Sequence, residues 1–404
     1  MRRLSFRRVL LGVVAAIVPI VLVGSAAGQN GLTITDLQAP RGLTCDGSYL
    51  YIAEQGTGSI LRVSQQGSVG VIASGLPSVL ADTPEGPLLT GPTMAINTGD
   101  TFFATVGEGP PDAEGFDSVY SVRPGQAPVL VADLLAFEEA NNIDGDVDQA
   151  GDPELLINAY DLVSDNNGGV YVAASGGNAI LHVAADGTIS PFAIFPNREN
   201  PLFPTIGGPT MDQVPTGLEW GPDGALYLAT LTGFPFPSGE ALVYRVSDNN
   251  ANGDALDDGE VTVYADGLTM ATSIAFDEDG SLLVTEFSLD FLSEAPGRLV
   301  RVVNGEISEV VAEPLISPTG VTVCHGEIIV AQEFLGIVAE AQTAAAIVAS
   351  MPPPAEEGGG EISPPNTGDG GLADTSASSM SLLLAIGVAG AALAVARKLT
   401  ALRR

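Results

Sequence analysis

Pro215-Thr216-Gly217-Leu218, then Asp223-Gly224, Leu226-Tyr227-Leu228-Ala229 and Val243-Tyr244-Arg245-Val246 form the stretch on which the fold turns. Its apolar segments are short, rich in β-branched and aromatic residues, and parted by an Asp-Gly of the kind that closes a hairpin. Toward the N-terminus the same order recurs as Pro40-Arg41-Gly42-Leu43, Asp46-Gly47, Leu50-Tyr51-Ile52-Ala53 and Ile60-Leu61-Arg62-Val63. Toward the C-terminus it recurs as Pro318-Thr319-Gly320-Val321, His325-Gly326 and Ile328-Ile329-Val330-Ala331. Less regular copies begin at Pro92, Asn158 and Ala271.

Six units of roughly fifty residues, each with three or four short strands, predict an all-β, six-bladed β-propeller over residues 29–350. A helical solenoid is excluded, because no unit keeps a 3.6-residue apolar period of useful length. Leu32-Thr33-Ile34-Thr35-Asp36-Leu37 precedes the first unit as Val261-Thr262-Val263-Tyr264 precedes the fifth. It therefore reads as an outer strand of the last blade that shuts the ring. The alternative is that residues 347–352, which resemble 71–77, supply that strand. Cys45 and Cys324 fall at the first hairpins of blades one and six, which are neighbours in a closed ring. An oxidising compartment favours their pairing; their offset by one repeat position opposes it.

Both ends carry envelope signals. Arg2, Arg3, Arg7 and Arg8, an apolar run from Val9 to Gly24, and small residues up to Gly28 describe a secretory signal peptide over 1–28. Residues 351–380 form a Pro/Gly/Glu-rich spacer too poor in bulky apolar side chains to pack. Residues 381–396 are an apolar anchor segment, expected as a helix, and 397–404 a basic tail placed on the cytoplasmic side by the positive-inside rule. Pro364-Pro365-Asn366-Thr367-Gly368 ahead of that anchor resembles a sortase sorting signal, Leu-Pro-x-Thr-Gly, with proline where leucine is usual. The resemblance implies a transpeptidase partner that cleaves between Thr367 and Gly368. A plain membrane anchor is the alternative, and either outcome puts the domain at the cell surface.

The formal net charge is −34, from 15 basic and 49 acidic residues. Eight of the basic residues lie in the two terminal segments, so the repeat region is more acidic still. Such a surface repels phosphate backbones and excludes nucleic acid as a natural partner. Cations and basic surfaces suit it better, and a monomer is expected.

Little in the chain resembles catalytic machinery. Its two histidines, His182 and His325, both fall in ordinary repeat columns. There is no Gly-x-Ser-x-Gly elbow, zinc-ligand spacing, or nucleotide or flavin signature. Oxygen side chains alternate along Asp248-Asn249-Asn250-Ala251-Asn252-Gly253-Asp254, with Asp257, Asp258 and Glu260 following. That pattern makes calcium the candidate cofactor, with Asp248, Asn250, Asn252, Asp254 and Asp257 as ligands. A looser version runs from Asn142 through Asp144, Asp146 and Asp148 to Asp152 and Glu154.

The propeller axis is the default place for a ligand. Inner strands start, and second strands end, on one face. There the sequence gathers Arg41, Thr93, Thr216, Thr272 and Thr319 from the starting turns, and Glu54, Glu286, Gln332 and Glu333 from the strand ends. Phe234 and Phe236 of Thr232-Gly233-Phe234-Pro235-Phe236-Pro237 should project there too. A binding module for an unknown glycan, protein or small molecule is the leading expectation. The alternative is a calcium-assisted, lactonase-like hydrolase or lyase with Glu54 and Glu286 as its carboxylates. A third possibility is a structural spacer or adhesin.

Residues 33–333 resemble the ScyD/ScyE family, named after scytonemin biosynthesis. The resemblance is carried by Val131-Ala132-Asp133-Leu134-Leu135-Ala136-Phe137-Glu138, by Val214-Pro215-Thr216-Gly217, by Gly221-Pro222-Asp223-Gly224-Ala225-Leu226-Tyr227, and above all by Leu231-Thr232-Gly233-Phe234-Pro235-Phe236-Pro237. It implies an extracellular, NHL/TolB-like six-bladed propeller without assigning a reaction. Members often have acidic residues where this chain has Ala174 and Thr230; Glu54 and Glu286 keep theirs.

Overall fold

A computed structural model describes residues 31–83, 86–110, 113–147 and 153–351. The signal segment 1–28, the spacer beyond Met351 with Thr367 and Gly368, the anchor 381–396 and the tail 397–404 lie outside these residues. Among the described residues no helix is long and apolar enough to cross a membrane.

Six four-stranded antiparallel sheets make the ring. Their inner strands are Pro40–Cys45, Pro92–Asn97, Ala159–Ser164, Pro215–Trp220, Ala271–Phe276 and Pro318–Cys324. Five sheets take all four strands from consecutive chain. The sixth takes three, and its outer strand is Thr33–Ile34, paired with Ala339 and Val338. The ring is therefore shut by the N-terminal strand. The rival segment cannot do it, because Ala341–Ala349 forms helix α2, alanine-rich and capped by the Glu340 carboxylate. Cys45 and Cys324 are joined across the same seam, with their Cα atoms 5.6 Å apart.

Each seam between blades has its own apolar core. Tyr51 and Ala53 pack toward Phe102 and Ala104 of blade two. Their chain neighbours Leu50 and Ile52 pack the other way, toward Ile329 and Ala331 of blade six. This two-residue alternation of a pleated strand buries both faces of every sheet. The repeated Pro-x-Gly start has a steric cause. A Cβ on Gly42 would lie 2.4 Å from the Thr93 carbonyl oxygen, and one on Gly320 would lie 2.3 Å from that of Arg41. Only glycine lets adjacent inner strands approach so closely.

Antiparallel pairing fixes the use of the two faces. The hairpins joining first to second and third to fourth strands lie on one face. The other face carries the starts of the inner strands and every connection between blades. It also carries hairpin 79–83/86–90 and helix α1, Leu134–Asn141.

Candidate functional site at the ring axis

The second residue of each inner strand is, around the ring, Arg41, Thr93, Tyr160, Thr216, Thr272 and Thr319. The threonines hold the ring together. Thr93 donates to the carbonyl of Ala159 (2.8 Å), Thr216 to that of Ala271 (2.9 Å), Thr272 to that of Pro318 (2.7 Å), and Thr319 to that of Pro40 (3.4 Å). Each bond runs from one blade to the first residue of the next. Thr216 and Thr319, expected as ligand contacts, are buried and spend their hydroxyls on the neighbouring blade.

Blades one and three break this column, and their substitutes meet. The Arg41 guanidinium carbon lies 4.3 Å from the centroid of the Tyr160 ring. Arg41 is 1 % exposed and is the largest fully buried side chain. Next to it stand Gln55 and Glu333, from the connections that follow the second strands of blades one and six. In the amide orientation that satisfies both neighbours, Gln55 accepts from Arg41 Nη1 (2.9 Å) and donates to Glu333 Oε1 (3.0 Å). Glu333 Oε2 is buried without a hydrogen-bond partner.

Burial sets the electrostatics here. It pushes Glu333 up to about 7, and the nearby Arg41 charge only partly opposes this. Burial also works against the Arg41 charge, yet Tyr160 and Glu333 outweigh it and hold that pKa above its ordinary value. The result is a guanidinium that stays charged beside a carboxyl that can exchange a proton near neutrality.

The expected carboxylate pair has another job. Glu54 Oε1 accepts the backbone N–H of Gln38 (2.8 Å), Glu286 Oε1 that of Thr269 (2.7 Å), and Gln332 Oε1 that of Ile316 (2.7 Å). Each donor lies two residues before the start of its own blade's inner strand. The remaining oxygens are engaged too, Glu54 Oε2 by Thr57 and Glu286 Oε2 by Arg298. Glu54, Glu286 and Gln332 therefore pin the chain as it enters a blade. Their alignment across repeats, which made them look like a central ring of ligands, comes from this shared structural task.

Blades four to six also contribute an apolar cluster of Val214, Leu231, Phe236, Met270 and Phe287, with Phe291 and Phe334 partly buried against it. Phe236 is buried and packs on Phe291, with ring centroids 4.8 Å apart. Phe234 is 39 % exposed. Of the two predicted aromatic contacts, Phe234 is the one open to a ligand and Phe236 supports it.

The acidic loop 248–260 is a third-to-fourth-strand hairpin of blade four, so it lies on the face away from this site. Asp254, Asp257 and Glu260 bring carboxylate oxygens within 4.8 Å of one another, a group able to hold a metal ion. The rest of the expected ligand set is arranged differently. Asp248 accepts the backbone N–H groups of Asn252 and Gly253, and Asn250 and Asn252 donate their amides to Asp257. Glu260 takes the place those residues were expected to fill.

His182 lies in the third strand of blade three, stacked on Tyr171 and 2.9 Å from Asp165. His325 is a hairpin residue with φ +55°. Sequence reasoning missed Tyr160 and Gln55. Counting strand positions from Ala159, which pairs with Ala174 as Pro40 pairs with Glu54, would have placed Tyr160 in the threonine column.

No protein-family profile and no curated protein sequence matches the chain. Solved structures similar to it include a streptogramin B lyase, at 15% identity and TM-score 0.41 over 73% of this chain and 76% of that one. A gluconolactonase from Xanthomonas campestris is similar at 11% identity and TM-score 0.48, over 77% and 89%. The calcium-binding protein regucalcin from Agrobacterium tumefaciens is similar at 12% and 0.46, over 79% and 92%. At such identities and scores, nothing about the chemistry of this chain follows from them.

Proposed function

We propose that this protein is a ScyD/ScyE-like binding module displayed outside the cell and tethered through its C-terminus. Its axial face takes a small organic ligand or sugar that lies against the exposed Phe234, beside the buried Arg41–Tyr160 group that shapes the centre of the ring. The observation that carries this is the broken threonine column. Arg41 and Tyr160 forgo the bond that ties blade to blade elsewhere, and a buried guanidinium is expensive to keep for stability alone. The two envelope signals support display, and calcium held by Asp254, Asp257 and Glu260 would stabilise the opposite face.

One observation favours a second reading, a hydrolase or lyase. Glu333, with a pKa near 7 and one unpartnered oxygen, has the properties of a general acid or base, and Arg41 could stabilise a developing oxyanion. Glu54 and Glu286 have no part in it.

Titrating the purified protein with envelope polysaccharides, sugar acids and aromatic acids, while following lactone and ester turnover in parallel, separates the readings. Binding lost in Arg41→Ala without turnover supports the module. Turnover lost in Glu333→Gln supports the enzyme. If neither Arg41→Ala nor Glu333→Gln changes any interaction, the axial proposal is wrong.

A further inference from the structure

Two loops of the axial face stand together at blades three and four. One, residues 195–214, joins the two blades; the other, residues 231–240, joins the second and third strands of blade four. In the second loop Leu231, Thr232, Gly233, Pro235, Phe236 and Pro237 are all buried, and between them Phe234 alone faces solvent. Thr232 (φ +73°) and Phe236 (φ +56°) flank it in the left-handed region. β-Branched and bulky residues rarely adopt that conformation, because it strains the backbone. The chain thus accepts strain on both sides of a ring that packing leaves out.

The first loop holds out Phe203, which is 51 % exposed. Its framework is the buried Asn200, whose amide donates to the carbonyls of Ile206 and Gly208, both at 2.8 Å. Asn200 Oδ1 accepts the N–H of Leu202 at 2.9 Å. The loops touch, since a Cβ on Gly207 would lie 3.2 Å from Pro235 Cδ and 3.6 Å from Phe234 Cδ1. They are also joined at their roots, where Arg198 donates to the carbonyl of Glu240 (2.7 Å) and to its carboxylate (2.8 Å).

A single exposed apolar side chain is ordinary. Two aromatic rings held out by touching, internally bonded loops at the ligand face are not a scatter. Their margins define what could cover them. Pro204, Thr205, Gly208 and Ser238 are exposed on the same loops, so each ring is a separate plane among small and polar groups. A protein interface centres on contiguous apolar area; separate planes with polar margins suit the mixed C–H and O–H surface of a pyranose. The negative face of an aromatic ring attracts the polarised C–H groups of such a sugar. The Arg198–Glu240 pair, with side chains 30 % and 32 % exposed, offers a donor and an acceptor to its hydroxyls. That arginine is already neutralised by Glu240 and the chain carries a net charge of −34, so a polyanionic glycan is disfavoured.

Resting on the binding role proposed above, we infer that Phe203 and Phe234 form a two-ring platform for a neutral glycan, with Arg198 and Glu240 contacting its hydroxyls. Each ring takes one sugar unit of the same chain. Filling both therefore needs an oligosaccharide, and a monosaccharide engages one ring at a time.

The test is calorimetric titration of the purified protein with neutral glucan, mannan and galactan oligosaccharides, from monosaccharide to hexasaccharide, and with oligogalacturonate as the charged counterpart. One neutral series should bind with an affinity that rises with length, and oligogalacturonate should not bind. Phe203→Ala and Phe234→Ala should each weaken the hexasaccharide roughly three- to tenfold, and Phe203→Tyr should restore most of the loss. Phe203→Ala should also erase the gain from monosaccharide to hexasaccharide with no change in melting temperature, which a merely structural ring would not do. Hexasaccharide binding that Arg41→Ala abolishes but both alanine variants of the phenylalanines keep would overturn the platform and leave the axial reading standing. Binding of oligogalacturonate alone, or of sugar acids and aromatic acids but no neutral glycan, would likewise overturn the platform and spare that reading. A dimer that Phe203→Ala disperses in sedimentation would assign the rings to a contact between copies and overturn it too.

Discussion

Arg41 and Tyr160 occupy equivalent positions in blades one and three, two blades apart, and meet with the guanidinium 4.3 Å from the ring centroid. A contact between non-adjacent blades is possible only through the middle of the ring. Both residues stand where threonine elsewhere ties one blade to the next, so the centre of the molecule is built around their pairing.

That pairing is coupled to Glu333 through Gln55, which gives the first prediction. Arg41→Met should destabilise the fold by about 3–5 kcal/mol, because it leaves Glu333 buried without its compensating charge. Glu333→Gln alone should cost far less, since it keeps the acceptor for Gln55. The double variant should recover part of the Arg41→Met loss. Urea unfolding of the four proteins gives the coupling, and strictly additive costs would mean that the two side chains act independently.

Glu54 and Glu286 test the difference between repeat geometry and function. Glu54→Ala should lower stability by about 1–3 kcal/mol, the cost of a buried N–H of Gln38 left without an acceptor. Glu54→Gln keeps an acceptor and should cost less. Neither should alter affinity for an axial ligand or any turnover. A large loss of function with little loss of stability would return Glu54 to the site.

Much of the ring was legible in the sequence because propeller blades repeat their punctuation. Pro-x-Gly opens blades one, four and six, a Gly-containing hairpin and apolar doublets follow at matching positions, and a repeated steric need leaves a repeated residue. The N-terminal closing strand was one of two readings the repeat allowed, and the Cys45–Cys324 link was left open by the one-position offset of the two cysteines; the structure shows both. The candidate site was harder to read because it lies in departures from the repeat. Similarity at Thr216, Thr319, Glu54 and Glu286 suggested a central ligand ring, yet those residues recur because four blades share the threonine staple and three share the Glu or Gln clamp. Tyr160 was hidden by the irregular start of blade three. Glu333 stood beside a regular column, and nothing in one dimension showed that Gln55 would join it to Arg41.

Buried carboxyls give an unusual pH dependence. Glu333 is pushed up to about 7 and Asp161 to about 8, against ordinary values of 4.5 and 3.8. The folded state keeps protons that the unfolded chain has already released, so stability falls as pH rises through the interval between the two values. Asp46, Asp165 and Asp223 are shifted downward, so their contribution is lost only in acid. The melting temperature should therefore decline between pH 5 and pH 8, with each raised group worth on the order of 1–3 kcal/mol. Glu138 and Glu219 are likewise pushed up to about 7, so Glu333→Gln should lessen the decline below pH 7 without abolishing it. Asp161→Asn, which keeps an acceptor for the N–H of Leu218, should lessen it across the whole range up to pH 8. A melting temperature that rises over this range would contradict the raised values.

Closure of the ring rests on a short pairing, Thr33–Ile34 against Val338–Ala339, on the core of that seam, and on Cys45–Cys324. The disulfide spans 279 residues of chain, so its main effect is on the unfolded state. Restricting so long a loop is worth roughly 5 kcal/mol in the chain-entropy treatment. No other link ties the first blade covalently to the last, and two paired residues alone are a weak latch. Reduction, or Cys45→Ser/Cys324→Ser, should therefore lower the denaturation midpoint strongly. Under native conditions the seam between blades one and six should open before the others. Hydrogen exchange should then speed up first at Val338 and Ala339 and leave the Leu226–Thr230 strand of blade four protected. Loss of protection spread evenly around the ring would instead show that the six seams are energetically equivalent and that the covalent link adds nothing local.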